Sequence, residues 1–226
     1  MKICGLIPAY NNEKTIGDVV SDTLGYIDPI VVIDDGSHDR TVDVARTSGA
    51  HTIRVPSNRG KGNALRMGFR YALDNGFQAA ITLDADLQHD PSEIPRFVQH
   101  YRTHHSDIIV GNRLWQKERI PRVRYVPNRV GTFLFSLLIG QPIRDSQCGF
   151  RLYDRRVMQN IYIMTDGFEA EADIILRAGK RGYTIDFVPI KPIYYEERTH
   201  TSYYRPVKDT FHISIVFLKN LFRKER

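Results

Sequence analysis

"AAITLDADLQHDP", residues 79 to 91, carries a short apolar run into two carboxylates, an amide and an imidazole within residues 84 to 89, and after Asp90 meets a proline. Such a run reads as a buried strand. Its end needs a positive partner, because carboxylates this close repel one another and resist burial. Asp84, Asp86 and Gln88 alternate by two, so an extended segment points them to one side, and Pro91 opens a helix. Oxygen ligands suit Mg2+ or Mn2+, which take one or two carboxylates and fill the octahedron with water and substrate phosphate oxygens. The expected counter-charge is therefore a divalent cation carrying a diphosphate. His89 reads as a solvated loop histidine, with a metal-ligand role as the alternative.

On either side of this stretch the pattern repeats. The β-branched runs "KICGLIP", "IVVID", "HTIRV" and "DIIVG" alternate with segments of helical period such as "EKTIGDVVSDTLGYI" and "GNALRMGFRYALDNG". This βαβα order predicts an α/β fold with a mostly parallel sheet flanked by helices and ligands beyond the carboxyl ends of the strands. After residue 112 the pattern is less regular. A basic loop, a helix around 128 to 139, the stretch "DSQCGFRLYD", a helix near 168 to 180 and a strand "TIDFVPI" follow. No linker, low-complexity segment or repeat divides the chain, which reads as one domain over residues 1–205 and an amphipathic helix over 206–226.

The chain has 226 residues, 42% of them hydrophobic, enough for a sizeable core and against a disordered protein. Lys and Arg outnumber Asp and Glu by 32 to 26, which suggests an anionic partner: a nucleotide, a phospholipid surface or nucleic acid. The two cysteines, Cys4 and Cys148, lie far apart in apolar or glycine-rich contexts, so neither a disulfide framework nor a zinc cluster is expected, and a reducing, cytoplasmic compartment fits. "ICGLIPAY" is too short for a signal h-region, and no apolar stretch approaches the ~20 residues that span a bilayer.

"IVVIDDGSHDRT", residues 30 to 41, places Asp34 and Asp35 where a strand stops, before a helix that Ser37 or Asp39 can cap. Turn chemistry explains one aspartate better than two; a carboxylate accepting N–H bonds from a nucleobase is the reading set beside it. "SNRGKGNALRMG", residues 57 to 68, lacks the Gly-Lys-Ser/Thr ending of a P-loop and follows the third strand instead of the first. It reads either as an ordinary helix start or as one whose glycines let a ligand approach, with Lys61 or Arg59 facing an anion. Residues 111 to 129, "GNRLWQKERIPRVRYVPNR", set Arg113, Lys117, Arg119, Arg122, Arg124 and Arg129 against Glu118, with Trp115, Ile120, Val123, Tyr125 and Val126 interleaved. That composition suits a lipid headgroup surface, and no nucleic-acid module is present, so a nucleic-acid partner is not expected. Residues 206 to 226 carry Phe211, Ile215, Leu218 and Phe222 at helical spacing and end in "RKER", a core helix or one lying in a membrane plane.

Together "IPAYNNE", "VVIDDGSHDRT", "NRGKGNAL", "DADLQHDP", "GNR", "DSQCGFRLY" and "FVPI" resemble glycosyltransferase family 2, and within it the dolichyl- and polyprenyl-phosphate hexosyltransferases. The resemblance runs from about residue 3 to residue 198. It implies a GT-A-type nucleotide-sugar-binding fold and an inverting, Mg2+- or Mn2+-dependent transfer of a hexose from a GDP- or UDP-sugar to a polyprenyl phosphate, at the cytoplasmic face of a membrane. Carried onto this chain, it puts Pro8, Tyr10 and Glu13 in the nucleotide pocket, Asp35 on the base and Asp84 by the ribose or sugar. Asp86 and Gln88 hold the metal, Arg113 and Arg124 hold the acceptor phosphate, and Glu169 and Glu171 fall near the sugar. Asp86, Arg113, Arg124 and Glu171 are thus the expected catalytic group, with Lys61 at the donor. "RTHTS" lacks the glycine of the family's Arg-x-x-Gly-x-Ser, which bears on the donor role expected of Arg198. A soluble family 2 transferase extending a glycan at a sugar hydroxyl is the alternative, and a non-catalytic nucleotide-sugar or nucleic-acid binding module is the remoter one.

Overall fold

A computed structural model of the chain describes residues 1–115, 122–191 and 193, with the backbone alone over 122–127. The apolar, β-branched runs form strands β1 (Ile3–Ala9), β2 (Ile30–Asp34), β3 (His51–Arg54), β4 (Ala79–Thr82) and β5 (Ile108–Asn112), followed by β6 (Arg151–Asp154) and β7 (Ile185–Pro189). They make one seven-stranded sheet in the order β3-β2-β1-β4-β6-β5-β7. Every neighbouring pair is parallel except the two that involve β6, which runs antiparallel between β4 and β5. Central strands β2 and β4 are buried along their whole length, as expected of a sheet covered on both faces.

Helices α1 (Ile16–Leu24), α2 (Thr41–Thr47), α3 (Lys61–Asp74), α4 (Ile94–His104), α5 (Arg122–Ile139), α6 (Arg155–Asn160) and α7 (Ala170–Lys180) fill the connections. α3 packs on β1, β2, β4, α6 and α7, whereas α1 packs on α2. Pro91 opens a single 3-10 turn, Pro91–Glu93, whose first turn Asp90 caps by accepting the Ser92 N–H at 2.9 Å, and α4 follows directly. Two elements were not foreseen in the sequence. β6 begins with a buried arginine that hides its apolar alternation, and α6 has six residues, too few for a helical period to show.

The register fixes the site. Ala9 pairs Asp34, Leu6 pairs Thr82, and Thr82 pairs Arg151 on the antiparallel strand. The carboxyl ends of β1, β2 and β4 and the amino end of β6 therefore meet along one edge, and the polar segments that follow them converge. The helix expected over 206–226, together with Arg198, lies outside the described residues, as do residues 116–121 of the basic segment. Among the described residues no helix is long and apolar enough to cross a membrane.

Candidate active site

The turn after β4 forms the floor of the site. Lys61, the first residue of α3, projects its ammonium 2.5 Å from Asp84 Oδ1 and 3.1 Å from Glu171 Oε1 in the first turn of α7. The positive partner of the Asp84 carboxylate is thus a lysine already within the protein. Burial alone favours a neutral lysine, but the two carboxylates outweigh it and hold the Lys61 ammonium strongly charged. Burial likewise pushes the Asp84 carboxyl up, and Lys61, aided by a hydrogen bond from His89, brings it far below the usual carboxylate range.

Two expectations about this floor are corrected, and one open pair of readings is decided. Asp84 to Gln88 is a turn instead of an extended segment: Leu87 has φ 63°, and Asp86 Oδ1 accepts the Gln88 N–H at 3.1 Å, so proximity in the turn gathers these groups and not strand alternation. His89 is not solvated. It is buried against Phe150, with Nε2 3.0 Å from Asp84 Oδ2. The glycines at the start of α3 admit protein backbone instead of a ligand. A side chain at Gly60 (φ 95°) would strike the Asp166 carbonyl and one at Gly62 the Thr165 carbonyl, and the Gly62 N–H donates to Asp166 O at 2.7 Å.

The segment before β6 supplies groups to which the sequence reading gave no role. Gly149 lies against Asp84, so that a Cβ there would collide with its carboxylate, and the Gly149 carbonyl accepts the Thr82 hydroxyl at 2.9 Å. Arg151 has no accessible surface. Its guanidinium donates to the carbonyls of Cys148 (2.6 Å), Glu171 (2.7 Å) and Ser146 (3.0 Å), charge-assisted bonds that offset its desolvation and tie β6 to α7. The signal was present in "CGFRLY", residues 148 to 153: a glycine and an arginine inside an otherwise apolar stretch.

Half-buried Pro8 and Tyr10 flank Ala9, the last residue of β1, and the loops after β1 and β2 are stitched together. The N–H groups of Asn11, Asn12 and Glu13 donate to the side chains of Ser37, Thr41 and Asp39, and Glu13 Oε2 in return accepts the Arg40 N–H at 3.1 Å. Asp39, not Ser37, accepts the first N–H of α2. Asp34 takes the turn role, accepting from the Ser37 N–H. Asp35 accepts the N–H groups of Arg59 (3.0 Å) and Gly60 (2.6 Å). Burial, with the charge of Asp34 added, still leaves its carboxyl above the usual range despite those bonds.

Arg113 follows β5 and grips Asp145 with Nε at 2.9 Å and Nη2 at 3.1 Å. Glu169 stands at the start of α7, just ahead of Glu171. The Arg124 side chain lies outside the described residues.

The donor set fits a divalent cation. Asp86 is half-buried, and burial together with the charge on Asp84 pushes its carboxyl up, the mark of an anion short of positive charge. The carboxylate of Asp86 and the amide of Gln88 supply hard oxygen donors of the kind Mg2+ and Mn2+ prefer. Among the described residues there is no ready-made cage of three His, Cys, Asp or Glu ligands.

This edge of polar groups on a doubly covered, mostly parallel sheet defines a nucleotide-sugar transferase of GT-A type. Residues 5–162 match glycosyl transferase family 2, and the chain belongs to that family and is a glycosyltransferase. It is 32% identical to a dolichyl-phosphate hexose transferase of Haloferax volcanii, over 84% of this chain and 80% of that one. It is 29% identical to a UDP-N-acetylglucosamine–dolichyl-phosphate N-acetylglucosaminyltransferase of Methanococcus voltae, over 84% and 85%. Its fold is similar to that of glucosyl-3-phosphoglycerate synthase from Mycobacterium tuberculosis, crystallised with Mn2+, UDP and phosphoglyceric acid, with a TM-score of 0.78 at 20% identity over 99% of this chain and 80% of that one.

Proposed function

We propose that this glycosyltransferase moves a hexose from a GDP- or UDP-sugar to a polyprenyl phosphate, with inversion at the anomeric carbon, while resting on the cytoplasmic face of a membrane. Asp35 reads the base, with Pro8, Tyr10 and Glu13 around the nucleotide; Asp86 and Gln88 hold the divalent ion. That ion, when bound, neutralises charge developing on the leaving diphosphate. Lys61, within ion-pair distance of both Asp84 and Glu171, holds the two carboxylates toward the sugar and keeps Asp84 ionised. Arg113, with Arg124, holds the acceptor phosphate in line with the anomeric carbon, where bidentate guanidinium contacts fix a phosphate better than an ammonium does.

The observation that carries this reading is the commitment of Glu171 to Lys61. A sugar hydroxyl needs a base to take its proton, and Glu171 is turned at 3.1 Å toward the Lys61 ammonium, a cation of the protein itself. A phosphate monoester, with a second pKa of about 6, is already largely anionic at neutral pH and needs none. The named relatives acting on dolichyl phosphate agree with this. A lipid surface is supported by α5, which buries Asn128, Thr132 and Phe135 and turns Val130, Phe133 and Leu137 outward beside exposed Arg129.

The test is product analysis after incubation with GDP- and UDP-hexoses, Mn2+ and either farnesyl phosphate or a free oligosaccharide. A metal-dependent glycosyl phosphate of inverted configuration is expected. Glycosylation of the oligosaccharide, with farnesyl phosphate untouched, would replace this reading with the glycan-extending one.

A further inference from the structure

Asp145 lies in the stretch before β6 and has no accessible surface. Its carboxylate accepts five N–H groups: the Arg113 backbone N–H (3.2 Å), Arg113 Nε (2.9 Å) and Nη2 (3.1 Å), Asn128 Nδ2 (2.9 Å) and the Gln147 N–H (3.1 Å). Asn128 belongs to α5, and its own Oδ1 accepts the Thr132 hydroxyl one turn further on. Burial by itself disfavours the Asp145 carboxylate, but Arg113 and these donors keep it below the usual range and ionised. The Asp145 side chain is fully buried, while 17% of the Arg113 side chain is accessible.

The same strap of chain reaches the donor carboxylates. Three residues beyond Gln147 and its neighbour Cys148, the backbone has passed Gly149 against Asp84 and arrived at Arg151, which binds the Glu171 carbonyl. One continuous segment, residues 145–151, therefore touches the arginine after β5, helix α5, the Asp84 carboxylate after β4 and the Glu171 carbonyl of α7. A guanidinium on a flexible stem has no fixed direction unless something grips it, and a two-point fork to a buried, saturated carboxylate fixes both its plane and its position.

We infer that Asp145 is the positioning residue for acceptor recognition: it holds Arg113 and α5 in register with the donor carboxylates, so that the phosphate of a polyprenyl phosphate docks at the right distance from the sugar. This rests on the polyprenyl-phosphate reading above. Asp145 itself touches no substrate and acts through Arg113.

The experiment compares wild type, Asp145→Asn, Arg113→Ala and the double variant, using farnesyl phosphate as acceptor and calorimetry for donor affinity. Asp145→Asn should raise the acceptor KM roughly 10- to 100-fold, the scale expected when a positioned group is displaced by about 1 Å, and leave donor affinity within about twofold. The double variant should be no worse than Arg113→Ala alone, since the carboxylate acts through that arginine. An unchanged acceptor KM, or donor affinity and thermal stability falling in step with it, overturns the inference while leaving the polyprenyl-phosphate reading in place. A wild-type protein that makes no glycosyl phosphate overturns both. If Asp145→Asn does not fold, Asn128→Ala carries the test by removing one donor and sparing the ion pair. A roughly threefold rise in acceptor KM at constant donor affinity supports the inference, and no rise overturns it.

Discussion

Two ionic clusters lie beyond the same edge of the sheet and are built in opposite ways. Around Lys61, one ammonium serves Asp84 and Glu171 directly, with Asp86 close behind, so negative charge is in excess. Around Asp145, one carboxylate is saturated by five N–H groups, including a guanidinium fork. The first cluster is short of positive charge and gains from a cation; in the second the Asp145 carboxylate is saturated and serves as a clasp on Arg113. A buried ion pair is weak evidence for stability by itself, and what distinguishes these two is which partner is left wanting.

Breaking that contrast at the metal should give the largest effect. Asp86→Ala is expected to lower metal-dependent turnover by roughly three orders of magnitude, since several kcal/mol of charge stabilisation is lost, while the melting temperature barely moves. Activity that persists in saturating EDTA would contradict it. Lys61→Met should come next, destabilising the fold by about 3 kcal/mol, because it leaves Asp84 and Glu171 facing each other without their counter-ion. That variant also sharpens the comparison: Mn2+ should raise its melting temperature more than it raises that of wild type, and an equal response would mean that the carboxylates are not short of charge.

Gly149→Ala adds a methyl where the Asp84 carboxylate sits, and overpacking of this kind costs about 1–2 kcal/mol. Its effect should appear in donor affinity ahead of stability, as measured by calorimetry beside thermal melting. The smallest effect is expected on the acid limb of unfolding. Because the Asp145 carboxyl is held below its ordinary value near 3.8, its contribution is fully present above that value and is lost as pH falls through the lower folded one. Denaturant titrations from about pH 5 down to about pH 3 should therefore show a shallower loss of stability for Asp145→Asn than for wild type.

Much of the fold was legible because each early strand is a short β-branched run and each carries its polar residues at the carboxyl end, as "IVVIDD" and "AAITLDAD" do. β6 escaped because Arg151 opens it, and a fully buried arginine satisfied by three carbonyls has no periodic signature. In the site, Asp84, Glu171 and Lys61 were each singled out, yet their mutual pairing joins residues 61, 84 and 171, and spacing along the chain cannot report such contacts. The glycines of "NRGKGNAL" show the same limit: the need for space was evident, but whether a ligand or the 165–166 backbone fills it was settled only by tertiary packing. Asp145 was invisible for a related reason, since one aspartate in a loop looks like turn chemistry until its partners are known.

The central claim is that the edge beyond β1, β2 and β4 binds a nucleotide diphosphate sugar together with a divalent ion. A thermal-shift panel of GDP- and UDP-hexoses, each with and without Mn2+, tests it most directly. One nucleotide series is expected to stabilise the protein only when Mn2+ is present, by about 2.7 kcal/mol at a hundred times its dissociation constant, and Asp86→Ala should abolish the effect. Stabilisation of equal size without the metal, or none with any nucleotide sugar, would contradict the account.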